Sequence, residues 1–236
     1  MATIAARGSR EESFYQKMAV ALAGFILFSF GQFAARGMVD YRHAPLIVHA
    51  HAAAMLLWLG LLVIQSTLAQ RLQLAQHRRI GWTGLALALA IPPLAVATCV
   101  TMMRGHAIPP FFTPAFLLSL VVTEGLTFGG LVICALPLRR RTEWHRRLMI
   151  GATIVLLEPA LGRILPMPLL GGWGEWLAMA LQLAVAGVLV RHDVGARGRV
   201  HEATLVVVVA IIFTHVVDVL LAMAPPIVAL AGSLAA

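Results

Sequence analysis

Charge is scarce in this sequence: only 12% of its 236 residues are Asp, Glu, Lys or Arg, and the acids number 10. That content excludes a solvated globule and a disordered chain, both of which need far more polar surface. Cysteine is scarcer still, with Cys99 and Cys134 alone and no CxxC pair, so neither a disulfide framework nor a thiolate zinc site is built here. Cys99 is expected near the outer end of its span and Cys134 near the inner end of the next. At 1.5 Å per residue they stand roughly 20 Å apart, too far for a disulfide. HExxH and GxSxG are also absent, removing the usual signatures of a zinc protease and of a serine nucleophile on a sharp turn. Gly171-Gly172-Trp173-Gly174 falls in an outer loop rather than between a strand and a helix, so it is no phosphate cradle.

What is abundant is apolar: 60% of the residues are hydrophobic. A bilayer core roughly 30 Å thick takes about 20 apolar residues of helix, so the chain holds about seven spans and no separate soluble domain. The expected fold is an all-α polytopic membrane protein, residues 1–236 forming a single membrane domain. Spans are placed near 18–35, 46–68, 81–103, 114–137, 148–165, 175–190 and 203–224. The run from Met18 to Ala35 is longer than a signal-peptide core and lacks an A-x-A site before Arg36, and reads as a retained span. Of the 18 Lys and Arg residues, 14 fall in the N-terminal arm and in segments 69–80, 138–147 and 191–202. The positive-inside rule then predicts a cytoplasmic N-terminus and an external C-terminus; the expected location is the bacterial inner (cytoplasmic) membrane. Trp82 and Trp144 fall at the inner border, Trp173 and Trp176 at the outer one, and Trp58 mid-span. The net charge of +8 lies in short juxtamembrane loops, which points to anionic lipid headgroups and not to nucleic acid.

Two inner-face segments echo each other: Gln76-His77-Arg78-Arg79-Ile80-Gly81-Trp82 and Trp144-His145-Arg146-Arg147-Leu148-Met149-Ile150-Gly151, 68 residues apart. The spacing is that of one helical hairpin, so spans three and four read as a repeat of spans five and six, with His77 and His145 facing each other across the bundle. A plain cationic border anchor is the competing reading. The stretch from Ile47-Val48-His49 to Gln65, the His77-Arg78-Arg79-Ile80-Gly81 motif, and His145-Arg146-Arg147-Leu148-Met149 with Leu161-Gly162-Arg163 together resemble a family of bacterial multipass membrane proteins of unknown function. The likeness covers residues 45–165, and this chain departs from it in the doubled His49-Ala50-His51 and in Glu158. It implies a fold but no activity. A weaker likeness is to diheme b-type membrane cytochromes, whose axial histidines sit on neighbouring spans; here span four has no histidine.

Ionisable residues inside a span are costly and face a partner or a cavity. Glu124 and Glu158 come out at mid-depth, His215 slightly above, and His51 and Asp218 higher, so the five form one layer in the outer half, with Arg163 a turn beyond Glu158 and His106 at the outer end of span three. His215 and Asp218 are i and i+3, which lets Asp218 orient the imidazole. His49 and His51 lie about 200° apart on a helix and cannot share one site; the deeper His51 is preferred, with Met55 and Trp58 continuing its face. Pro92-Pro93 interrupts span three and Pro159 follows Glu158, while Gly125, Gly129 and Gly130 read as packing residues.

These residues predict binding of heme b or a transition metal, zinc or iron, through intramembrane histidines, with a redox or electron-transfer role and a redox partner or quinone. The heme pairs are His77 with His145 and His51 with His215; the metal set is His51, His215, Asp218 and Glu158, with Glu158 and Asp218 as the acid–base groups. The alternatives are a proton-coupled small-molecule transporter using Glu124, Glu158 and Asp218, and a non-catalytic assembly protein whose polar layer only locks helix pairing.

Overall fold

In the computed structural model, residues 2–109 and 111–236 are described, the side chains from residue 12 onward, and among them every regular element is helical. Helix α1 covers Ala2–Ala35, α2 Leu46–Gln70, α3 Leu74–Arg104 and α4 Pro114–Ala135. After a 3-10 turn at Pro137–Arg140 come α5 (Thr142–Val155), the short α6 (Glu158–Leu161) and α7 (Met167–Leu170), then α8 (Trp173–Arg197), α9 (Glu202–Met223) and α10 (Pro225–Ala235). Six stretches are long and apolar enough to cross a bilayer: Glu12–Ala35, α2, α3, α4, α8 and α9. The chain is therefore an all-α, multipass membrane bundle.

The helix ends follow local chemistry. Thr113 caps α4, its Oγ1 accepting from the Phe116 amide at 3.1 Å, with Pro114 at the first helical position. Gly198, in the left-handed region at φ 74°, closes α8. His201 then caps α9, its Nδ1 accepting from the Ala203 amide at 3.0 Å.

The fifth expected span is broken. Residues 148–165 form no continuous helix: α5 ends at Val155, and α6 restarts at Glu158. The cause is Pro159, which has no amide hydrogen to give the Val155 carbonyl and so ends the ladder one turn earlier. Unlike the outer helices, α5 is wrapped by protein, and every residue from Ile150 to Leu157 is buried. It packs against α9 so closely that a Cβ on Gly151 would lie 2.1 Å from Val207 Cγ2. Pro92-Pro93, by contrast, leaves α3 unbroken, and Gly125 of α4 fits against the Pro92 ring. Residues 225–235, past the last expected span, form α10, which packs on α4.

Candidate functional site

The helix break builds a site. The Val155 carbonyl, freed by Pro159, accepts instead from Gln182 Nε2 of α8 at 3.1 Å. That bond fixes the amide, and its Oε1 faces Nε2 of His215 on α9 at 3.3 Å. The other ring nitrogen, Nδ1, bonds Glu175 Oε1 in the first turn of α8. Because Gln182 Oε1 can only accept, Nε2 carries a proton, and a second proton lies on the line between His215 Nδ1 and Glu175.

Glu158 completes the centre. One ligand atom each from Glu158, Glu175 and His215 lie within 4.8 Å of one another, all three residues buried and drawn from three helices. Glu124 on α4 and Asp218 on α9 stand within electrostatic reach of Glu158 and Glu175. Asp218 accepts a hydrogen bond from Thr123 Oγ1. Three buried carboxyl oxygens, Glu124 Oε1, Glu175 Oε2 and Asp218 Oδ2, have no hydrogen-bond partner among the described residues. Arg163 is the cation near this layer, within reach of Glu124. Its Nη1 donates to the Pro159 carbonyl at 2.6 Å and its guanidinium lies 3.9 Å from the centre of the Phe30 ring. Four acids beside one arginine and one histidine cannot all be ionised in an apolar bundle without an added cation, so the group holds either protons or a cation.

The structure thus brings Glu158 and His215 into one centre, with Asp218 beside it. The imidazole is oriented by Glu175 and Gln182, while the Asp218 carboxyl holds Thr123. His51 is not in the centre: its charged neighbour is Arg163, and its buried Nδ1 has no partner. His49 is exposed. Glu175 and Gln182 were missed because Trp173 and Trp176 mark that stretch as a border; their i and i+7 spacing, which puts both on one face of α8, was the available signal. Trp58 is fully buried, its Nε1 donating to Thr153 Oγ1 at 3.3 Å.

At the arginine-rich end, a second polar network ties the loops together. Arg147, fully buried, donates from Nε to Asp193 Oδ1 at 3.0 Å and from Nη1 to Glu143 Oε2 at 2.6 Å. Asp193 Oδ2 accepts from the His201 amide at 3.0 Å and from Thr204 Oγ1 at 2.6 Å. Burial would raise the Glu143 carboxyl, but Arg146 and Arg147 outweigh it and hold the group below the usual carboxylate range. His77 and His145 lie at this end as well, with ring centres 6.4 Å apart. Burial, and then the neighbouring His77 and Arg139 charges, pull His145 below the usual imidazole range, against the opposing pull of its hydrogen bond to Ala135.

What the fold and site define is a polytopic helical membrane protein with a buried carboxylate and histidine centre. Compared with protein-family models, curated proteins and solved structures, the chain matches none.

Proposed function

We propose that this protein is a membrane metalloprotein that holds one zinc or iron ion on Glu158, Glu175 and His215, with a redox role when the ion is iron. The observation that carries the reading is the mutual approach of three buried donors from three helices to within 4.8 Å. One nitrogen and two carboxylates are a donor set that zinc and iron both accept. A bound ion would displace the proton between His215 and Glu175, which with Glu158 would be its ligands. Gln182 then accepts from the far ring nitrogen, the outer bond that fixes a ligating imidazole. With an ion bound, Asp218 and Glu124 would flank it as acid–base groups, and electrons would be exchanged with a membrane-borne partner, a quinol as donor or a quinone as acceptor. Heme does not suit this end, since Glu175 and Gln182 close both nitrogens of His215 to an axial approach.

The test is metal analysis of the detergent-purified chain, followed by Co(II) titration read by its absorption bands. One equivalent is expected, and Glu158→Gln, Glu175→Gln and His215→Ala should each weaken binding at least tenfold. At an ion concentration a hundred times Kd, the fold should gain about 2.7 kcal/mol. A folded wild-type chain that binds no ion ends this reading and turns attention to the second, proton-coupled transport. The proton shared by His215 and Glu175 favours that alternative, which predicts gradient-driven uptake in liposomes that Glu175→Gln abolishes.

A further inference from the structure

The two histidines at the arginine-rich end are held alike by equivalent parts of two hairpins. His77, early in α3, has its Nδ1 3.2 Å from the carbonyl of Gln65 near the end of α2. His145, early in α5, has its Nδ1 2.9 Å from the carbonyl of Ala135 at the end of α4. A carbonyl only accepts, so Nδ1 is the donor in each ring, and in the neutral imidazole Nε2 is then the free lone pair. The rings stand 6.4 Å apart between centres, with planes at 79°. That separation is within the span of two imidazoles that share a metal at about 2.0–2.1 Å from each ring nitrogen.

A second observation points to the same place. Both amide atoms of Gln65 are buried without a partner, and Gln65 Nε2 lies 3.5 Å from where a Cβ on Gly81 would stand, one turn beyond His77. A buried amide with neither bond made is costly, so it marks a place where a further group is accommodated.

We propose that His77 and His145 form a two-imidazole ligand pair for a transition-metal centre, either heme iron or a free ion, with Gln65 beside it as the outer polar contact. The site is separate from the Glu158, Glu175 and His215 centre and does not depend on it. Nδ1 bonded to backbone is the arrangement that fixes the tautomer of a ligating histidine. Arg78, Arg79 and Arg139, on the flanking turns, favour a centre that carries anionic groups of its own, as heme does through its propionates.

The full-length chain in detergent is titrated with hemin, read in the oxidised and dithionite-reduced states. Separately it is titrated with Cu(I) and Zn(II) against a coloured chelator. One equivalent of hemin with a Soret band that shifts on reduction identifies heme iron; one equivalent of ion lost in His77→Ala identifies the free ion. In either case His77→Ala and His145→Ala should each lower affinity at least tenfold. The double variant should be no worse than either single one, and added imidazole should restore binding to His77→Gly. Glu158→Gln with His215→Ala should leave this binding intact, which separates its failure from failure of the outer centre. Glu158→Gln, His215→Ala protein that takes up neither hemin nor ion at one equivalent overturns the proposal, as does a His77→Ala, His145→Ala variant of it that binds as its parent does.

Discussion

Gln182 joins a backbone defect to a side-chain centre, since one amide group satisfies both the Val155 carbonyl and His215 Nε2. Replacing it with Leu keeps the volume and strands both partners in an apolar interior. We predict that Gln182→Leu lowers unfolding stability by about 1–3 kcal/mol and weakens Co(II) binding as well. Thermal melts and titrations on the same sample check both, and unchanged binding would show that the amide does not orient the imidazole. Asp193 carries a comparable burden at the other end, because it neutralises Arg147, which is 0% exposed. Asp193→Ala leaves that guanidinium buried with only the partly exposed Glu143 as counter-charge. The expected loss is about 3–5 kcal/mol, against less than about 1 kcal/mol for Arg197→Ala, whose pair with Glu143 is surface-exposed.

At the level of elements, glycines separate close helix contacts from open ones. A methyl at Gly151 of α5 meets Val207 at 2.1 Å, and one at Gly125 of α4 meets Pro92 at 3.2 Å, whereas Gly60 of α2 has nothing within 4 Å. Gly151→Ala should therefore cost about 1–3 kcal/mol by overpacking and Gly125→Ala less, while Gly60→Ala should gain up to about 1 kcal/mol from helix propensity. A melt series that ranks the three otherwise would place the α5 and α9 contact elsewhere. Most of the helices were legible, since a run of 22 to 31 residues between charged loops has one reading in hydropathy. The α5 to α7 region was not, because hydropathy measures apolar content and cannot tell a helix facing lipid from one enclosed by protein. Pro159 was visible as a break, but its consequence lay on α8, where only tertiary contact reveals that Gln182 meets the freed carbonyl. Depth alone placed Glu158, His215 and Asp218 in one layer. It could not order the helices, which is why His51 was grouped with that layer although its charged neighbour is Arg163.

Over the whole molecule, polar groups gather at two levels: the acid centre far along α9, and the arginine network at the loops. The second makes stability depend on pH. His201 lies below the usual imidazole range because of burial, reinforced by Arg147 and Arg197 and opposed by Asp193 and Glu143. Its Nδ1 caps α9 by accepting the Ala203 amide, a bond that a protonated ring cannot make. His145 is shifted the same way. For a base whose folded pKa is depressed, the unfolded chain binds more protons, so stability is complete above the unfolded value of about 6.5 and declines as pH falls through it. Glu143, a depressed carboxylate, adds a further loss below about 4.3, where the unfolded group begins to protonate first. These loop shifts act in one direction, and their contribution to the melting temperature of the detergent-solubilised protein should be level from pH 8 to 7 and decline as pH falls below 6.5. His201→Asn keeps an acceptor at the cap of α9 but removes the titrating ring, so it should flatten the upper part of that decline while leaving the lower part in place. A His201→Asn slope equal to wild type would mean that the cap of α9 does not contribute to the acid response of the bundle.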